Sequence, residues 1–419
     1  MSNSNISKKL AQVIPGTLHV GVDLALEGNT AIIIDENARQ YSRFYFPQNT
    51  DGYDYFQNHI EKVRQKQDAT QVLVAMEPTN FFWKLLANRL EEKQIPYHLV
   101  NAYTVKKHRE GDQIDRSKDD PRDSFTIADL SRTGKFTETR LQRGVYAELR
   151  QYATLYYQLT RDIRREKNIL WGLIGQVFPE LRLVFKELTS QTFKAMIRTC
   201  PAAVSVRAFS EEGFIAQVRT SFSGKRLFIA KLHEAYRLAK TSIGLVDGIQ
   251  ANYLAIQIHL EHLEILQWDI SRIIKVLKCC LQQVEASKYL LSMKGLSTIS
   301  VSLILAEIGD PSHYSSGKQL VKLGGIQPTP NRSGRKQNSP TPMSHQGRPG
   351  LRSVLYLACL RLIQVDRRFK DIYHVLQTRT QNPLTKMQAL GVLMNKLLHI
   401  LWALMRKKTF YNPDFVGVA

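Results

Sequence analysis

Strand-type patterns are confined to the first third of this 419-residue chain. Short apolar or alternating runs predict strands there at His19–Leu26, Thr30–Asp35, Arg39–Pro47, Gln71–Met76 and Tyr97–Val100. Helical spacing predicts helices at Tyr53–Lys66, Phe81–Lys93 and Pro121–Thr133. Strands that come first and then alternate with helices are typical of a mixed sheet with helices on its faces. The sequence therefore predicts an α/β fold for this part.

From about Val145 to Glu285 the chain has almost no strand signal, and apolar residues recur there at alternating spacings of three and four. A first series consists of Leu149, Tyr152, Tyr156, Leu159 and Ile163, and a second of Ile256, Leu263, Leu266, Ile270, Ile273 and Leu277. Such spacing predicts long helices that pair along an apolar seam, in which His259 occupies one heptad position. Pairing within one chain and pairing between subunits both satisfy the pattern.

From Leu290 to about Pro413 the pattern is again helical and is interrupted by one unusual loop. We therefore expect an α/β domain followed by all-α regions. The predicted bounds are an α/β domain at 1–140, a helical coiled-coil spacer for oligomerisation at 141–288, and a helical C-terminal domain at 289–419.

The charge balance points to a polyanionic partner. The chain has 58 Lys and Arg against 37 Asp and Glu, a formal net charge of +21, which makes nucleic acid the first candidate and an acidic membrane surface the second. No apolar run approaches the ~20 residues that a spanning helix needs, and the first residues lack a secretory pattern. We expect a cytoplasmic, nucleoid-associated protein without a membrane partner. Four cysteines without ligand spacing predict neither a disulfide scaffold nor a zinc module.

Four carboxylates in the first region could converge. Asp23 lies inside the first predicted strand, Glu77 directly follows the apolar strand Gln71–Met76, and Asp120 and Asp123 share one face at the start of a helix. Oxygen ligands suit Mg²⁺, with Mn²⁺ as a substitute, and two such ions could clamp a scissile phosphate. Taken singly, Asp23 could be a turn residue and Asp120 a helix cap. Asp119 competes with Asp120 for its position.

The loop of the third region is strongly basic. Residues 331–352 contain no acid and five cations, which are Arg332, Arg335, Lys336, Arg348 and Arg352. Such a loop is expected to face phosphates. Lys118 belongs to a second basic segment that precedes the acidic helix. Ser333 stands among these cations, before Gly334, and taken alone it is a loop serine that contacts a phosphate.

These motifs together resemble one family. The first set is Asp23, Glu77, Leu99-Val100-Asn101 and Lys118-x-Asp120-x-x-Asp123-Ser124, and the second is Gly325-Ile326-Gln327-Pro328, Ser333-Gly334 and Gly347-Arg348-x-x-Leu351-Arg352. Both look like the DEDD transposases of the insertion-sequence one-ten family, relatives of the Piv DNA invertases. The chain departs from that family at Pro78-Thr79, where a small residue and Gly are usual, and at Ser124, where Ala is usual.

The resemblance implies an RNase H-like (RuvC-like) N-terminal domain and a C-terminal transposase domain that supplies a catalytic serine. Asp23, Glu77, Asp120 and Asp123 would hold Mg²⁺, and Ser333 would form a covalent phosphoserine link to DNA. A structured guide (bridge) RNA, donor and target DNA, and a homo-oligomer (dimer or tetramer) are also implied, with Ser333 acting in cis or in trans. Two alternatives remain: a junction-resolvase-like nuclease that uses water as the nucleophile, and a non-catalytic architectural binder.

Overall fold

The computed structural model describes residues 13–78, 81–112, 120–136, 141–222, 226–329 and 342–415; within these ranges it does not describe the side chains of residues 109–112, 120, 121 and 415. Contacts divide the chain into two compact units, Met1–Leu141 and Gln142–Ala419. The three-region division at 140/141 and 288/289 stays a prediction.

The first unit contains a five-stranded sheet, together with helices that connect its strands or follow them. Its strands are β1 (Thr17–Leu24), β2 (Gly28–Ile34), β3 (Gln40–Pro47), β4 (Gln71–Met76) and β5 (Tyr97–Leu99). Its helices are α1 (Thr50–Lys66), α2 (Phe82–Glu92), α3 (Ala102–Asp112) and α4 (Asp120–Arg132). The expected mixed α/β sheet is confirmed, and each strand end lies within two residues of its predicted position. Helix α3 has no counterpart among the helices predicted from the sequence.

The strand order is β3-β2-β1-β4-β5, with antiparallel pairing among β1, β2 and β3 and parallel pairing of β4 with both β1 and β5. Alternation along the strands divides the core between two faces. Val20 and Val22 belong to one buried cluster that also contains Phe56 of α1. Ile32 and Ile34 of β2 pack on the opposite face against Ala128 of α4. Helix α4 therefore covers the face on which the odd-numbered residues of β1 lie.

The second unit is helical. Its helices are α5 (Gly144–Val177), α6 (Leu181–Val184), α7 (Gln191–Thr199), α8 (Ala203–Arg207), α9 (Glu211–Thr220), α10 (Ile229–Ala239), α11 (Ile249–Gln282), α12 (Ser287–Leu291), α13 (Thr298–Ile308), α14 (Gly317–Gly324), α15 (Pro349–Val365), α16 (Arg367–Thr378) and α17 (Lys386–Lys407), with short 3₁₀ turns at Pro311–His313 and Pro413–Phe415.

The long helices α5 and α11 pack antiparallel on each other and connect two cores. Leu149 near the start of α5 shares a core with Leu277 near the end of α11 and with helices α12–α17. Leu170 near the end of α5 shares a second core with Ile256 near the start of α11 and with α6–α10. The apolar series predicted from the sequence therefore pair within one chain.

Helix α17 is, within the described ranges, the single helix whose length and apolarity would allow it to span a membrane. Its residues Leu393, Leu397 and Leu401 are fully buried in the core shared with α13 and α15. Packing inside the second unit therefore accounts for its apolar character.

Candidate active site

Two of the predicted acids lie side by side at the ends of neighbouring strands. In the parallel β1–β4 pair, Val22 is opposite Met76. The next residues are therefore Asp23 of β1 and Glu77 directly after β4, at the same level of two strands that lie about 4.8 Å apart. Both side chains are half-buried. The parallel register thus brings together two carboxylates that are separated by more than fifty residues in the sequence.

Close contact between β1 and α4 fixes how the helix lies on the sheet. A Cβ atom added at Gly21 would lie 2.0 Å from the Ser124 carbonyl oxygen and 2.5 Å from the Ala128 amide nitrogen. Two residues earlier on the strand, His19 Nδ1 lies 3.3 Å from Ser131 Oγ. Helix α4 therefore runs antiparallel to β1, and its first turn lies beside the C-terminal end of that strand.

A hydrogen bond shows that the first turn of α4 reaches the level of Asp23. The Ser124 hydroxyl donates to the Thr30 carbonyl oxygen at 2.9 Å, and Thr30 is the β2 residue paired with Asp23. Asp123, adjacent to this serine, is half-buried. Asp120 is the first residue of α4, one turn earlier; its side chain and the whole of Lys118 lie outside the described residues.

The donors at this edge of the sheet fit a hard divalent cation. Asp23, Glu77 and Asp123 offer only carboxylate oxygens, the ligand type that Mg²⁺ prefers, and each also takes part in a polar or electrostatic interaction with its surroundings. The helix start adds partial positive charge that favours carboxylates. In their donor chemistry these residues therefore fit Mg²⁺.

A neutral histidine lies on the face of β1 that α4 covers, four residues before Asp23. His19 is fully buried between β1 and α4. Burial, together with the positive charge of Arg132, lowers the pKa of His19 to about 4. The imidazole is therefore uncharged at neutral pH and adds no positive charge between β1 and α4.

The basic loop has a well-defined base. Pro328 and Met343 form an antiparallel bridge. The Thr329 amide donates to the Pro342 carbonyl oxygen at 2.9 Å, and the Ser344 amide donates to the Gln327 carbonyl oxygen at 3.0 Å. These contacts hold the residues that flank segment 330–341 side by side. Ser333, Arg332, Arg335 and Lys336 are in that segment and lie outside the described residues.

The remaining two predicted nucleic-acid-binding residues contact the loop base itself. The Arg348 guanidinium donates to the Glu307 carbonyl oxygen, and burial lowers the pKa of Arg348. Arg352 Nη1 donates to the carbonyl oxygens of Gly324 at 2.9 Å and Gly347 at 3.1 Å. Both arginines therefore hold the loop base, and a phosphate contact by either remains a prediction.

Three residues position these sites in a role that the sequence did not predict. Gly21 lets α4 reach β1, and a glycine inside a strand pattern is a signal of such close approach. Gly347 does the same in the loop base, where an added Cβ would lie 2.4 Å from the Gly325 nitrogen. Glu307 is almost fully buried and forms an ion pair with Arg150 of α5. No local pattern signals that pairing.

Two family models match the chain. The first is a transposase model of the DEDD IS110 type and covers residues 20–179, which contain the four predicted acids. The second is described as the transposase IS116/IS110/IS902 family and covers residues 287–374, which contain the basic loop.

Curated relatives agree with these models. The "Mini-circle putative transposase for IS117" of Streptomyces coelicolor is 23% identical over 76% of this chain and 78% of its own length. The "Pilin gene-inverting protein" of Moraxella bovis is 25% identical over 32% of this chain and 41% of its own length. A protein of insertion element IS900 from Mycobacterium paratuberculosis is 29% identical over 30% of this chain and 31% of its own length. Since both models and these relatives point the same way, the chain belongs to the IS110 family of transposases, which act on DNA.

Proposed function

We propose that this chain is a recombinase that cuts and rejoins DNA with a Mg²⁺ site formed by Asp23, Glu77, Asp120 and Asp123 and with Ser333 as the nucleophile. The observation that carries the proposal is the register of β1 with β4 and of α4 with β1. Together these registers bring the ends of two strands and the start of one helix to one edge of the sheet. DEDD transposases are typically dependent on a divalent metal.

The topology supports an RNase H-like N-terminal domain. Three antiparallel strands are followed by two parallel ones in the order β3-β2-β1-β4-β5, which is the arrangement that the family resemblance implies. In such a sheet the carboxyl ends of β1 and β4 form a natural site for the reacting phosphate.

The proposed chemistry keeps the number of ester bonds at phosphorus constant. Bound Mg²⁺ would stabilise the charge that develops on the phosphate. The four carboxylates hold and orient that site, and the Ser333 oxygen displaces one DNA oxygen at phosphorus. One ester bond forms as another breaks, and the proton lost by the serine passes to the released DNA hydroxyl. A second DNA hydroxyl can reverse the step and rejoin the strand.

The proposed partners follow from the separation of the two sites. The acids belong to the first unit and Ser333 to the second, so the serine acts either in cis or in trans within a dimer or tetramer. The net charge of +21 is appropriate to donor and target DNA and to a structured guide RNA. Arg332, Arg335, Lys336 and Lys118 are the proposed phosphate contacts, and Arg348 and Arg352 support the loop from which three of them extend.

Trapping the covalent intermediate tests the proposal. Wild-type protein, Ser333→Ala, Asp123→Asn and the same-loop control Ser339→Ala are incubated with donor and target DNA and with Mg²⁺, in the presence and absence of RNA from the flanking non-coding DNA. We expect an SDS-resistant protein–DNA adduct from wild type and Ser339→Ala, and none from Ser333→Ala or Asp123→Asn. Recombination that does not depend on the added RNA would contradict the guided mechanism.

One alternative has structural support of its own. All four acids lie within one compact unit, so a junction-resolvase-like nuclease that uses water needs no residue from the basic loop. Equal cleavage by wild type and Ser333→Ala would establish that alternative. If wild type and Asp123→Asn both bound DNA and neither cleaved it, the chain would be an architectural binder.

A further inference from the structure

Three metal-ligating side chains meet where α5 packs on α11. Glu166 comes from α5, whereas His259 and His262 come from α11, where a spacing of three residues puts them on one helix face. One ligand atom from each lies within 4.8 Å of the other two. Across the part of the chain that the structure describes, this is the single group of three His, Cys, Asp or Glu side chains with such geometry.

Antiparallel packing of the two helices fixes this meeting point. Asn252 of α11 donates to the Leu173 carbonyl of α5 at 3.4 Å. About two turns further along, His259 Nδ1 lies 2.7 Å from Glu166 Oε2. Leu170 and Leu263, each one turn from a ligand, are fully buried in the shared core. The cluster is therefore held at the edge of a rigid apolar core.

The three side chains become more exposed in the order Glu166, His259 and His262. The Glu166 side chain is 16% exposed and His259 is 27% exposed, whereas His262 is at the surface. The His259 and His262 rings are nearly perpendicular, with centroids 6.0 Å apart. A cation can therefore enter from the His262 side and retain one position for water.

The donor set selects the kind of cation. Two imidazoles and one carboxylate are the three-ligand set of many zinc sites, in which water takes the fourth tetrahedral position. Mg²⁺ prefers oxygen ligands only, so this cluster differs in metal preference from the four acids of the first unit. We infer that Glu166, His259 and His262 bind a zinc ion that links α5 to α11.

Only small movements complete the site. A tetrahedral zinc ion with bonds of about 2.0 Å holds its ligand atoms about 3.3 Å apart. The Glu166–His259 hydrogen bond of 2.7 Å opens by about 0.6 Å to reach that distance. Starting from a separation of at most 4.8 Å, the outer imidazole moves by at most about 1.5 Å, which a rotation of an exposed side chain supplies.

The bound ion joins α5 to α11 at one point along their length. Without it, Glu166 and His259 form an ordinary hydrogen-bonded pair, and His262 contributes nothing to the link. With zinc, all three side chains are joined, and the folded state gains stability in proportion to zinc binding. The site lies far along the chain from the acids and from Ser333, so it does not depend on the proposed recombination chemistry.

A metal titration tests the inference. Full-length protein stripped with a chelator is titrated with Co²⁺ and then with competing Zn²⁺, because tetrahedral Co²⁺ with nitrogen ligands absorbs visible light strongly and octahedral Co²⁺ with oxygen ligands absorbs weakly. His262→Ala keeps the Glu166–His259 pair and replaces an exposed side chain, so it retains the fold. His233→Ala is the matched control, since it removes another exposed histidine, one that lies beside Glu211 and outside the cluster.

We expect one strongly absorbing Co²⁺ per chain in wild type and His233→Ala, displaced by Zn²⁺, together with a zinc-dependent rise in the unfolding temperature. His262→Ala should lose the strong absorption and bind Zn²⁺ at least tenfold more weakly, since losing even a supporting residue costs roughly 10- to 100-fold. Asp23→Asn keeps all three zinc ligands and should titrate as wild type. The same strong absorption in His262→Ala, or none in wild type, would overturn the inference.

Discussion

Replacing Gly21 with alanine tests whether direct backbone contact between β1 and α4 holds the acidic helix in place. The added Cβ would lie 2.0 Å from the Ser124 carbonyl oxygen and 2.9 Å from the Ala128 Cβ. Ordinary van der Waals contact begins at 3.4 Å, so the helix must retreat by about 1.4 Å. The atoms in the way are mostly backbone, which cannot move aside as a side chain does.

This displacement should affect both stability and activity. Inserting a methyl group into a packed contact typically costs about 1–3 kcal/mol, and we expect Gly21→Ala near the upper end of that range. Because Asp123 follows the helix backbone, it moves relative to Asp23 and Glu77. A misplacement of about 1 Å in catalytic geometry can lower a rate roughly 100-fold, so we expect Mg²⁺-dependent strand cleavage to fall by about that factor.

The assay compares Gly21→Ala with Gly172→Ala. Gly172 lies in α5 with no atom within 4 Å of an added Cβ, so its replacement should stabilise the helix by up to about 1 kcal/mol. Both variants are measured by urea unfolding and by Mg²⁺-dependent cleavage under conditions in which each remains folded. If Gly21→Ala unfolds and cleaves as wild type does, then α4 is not held by this contact and the reasoning is wrong.

Three further predictions concern His19, Glu307 and Arg352. The folded pKa of His19, about 4, lies below its unfolded value of 6.5. The resulting contribution to the free energy of unfolding, about 3 kcal/mol, is complete above pH 6.5 and is lost as the pH falls towards 4. In urea unfolding, the stability of His19→Gln should change with pH by about that much less over this range. Glu307→Gln should lower the free energy of unfolding by about 2–3 kcal/mol, which is less than for a fully buried pair because Arg150 is partly exposed. Equal urea midpoints and equal m-values for the variant and wild type would contradict this. Arg352→Gln should cost about 1–3 kcal/mol through lost carbonyl contacts and leave the salt slope of DNA binding unchanged; a slope smaller by about 1 would instead indicate a phosphate contact.

The sequence alone determined the elements of the sheet and the positions of the acids along them. Alternating and continuous apolar runs depend on neighbours one to four residues apart, so they predicted β4 at Gln71–Met76 without error. The same local logic placed Glu77 directly after that strand and Asp123 in the first turn of α4. Heptad spacing likewise predicted α5 and α11 as paired helices.

The tertiary structure alone decided which surfaces meet. Periodicity does not encode which helix covers which face, so the contact of α4 with Gly21 and the neutral state of buried His19 could not be derived from the sequence. The same holds for Arg348, whose acceptor on Glu307 is 41 residues away, and for His259, which faces Glu166 across two helices. These pairings depend on the register of packed elements, which is set by the shape and burial of the whole core rather than by any segment of the chain.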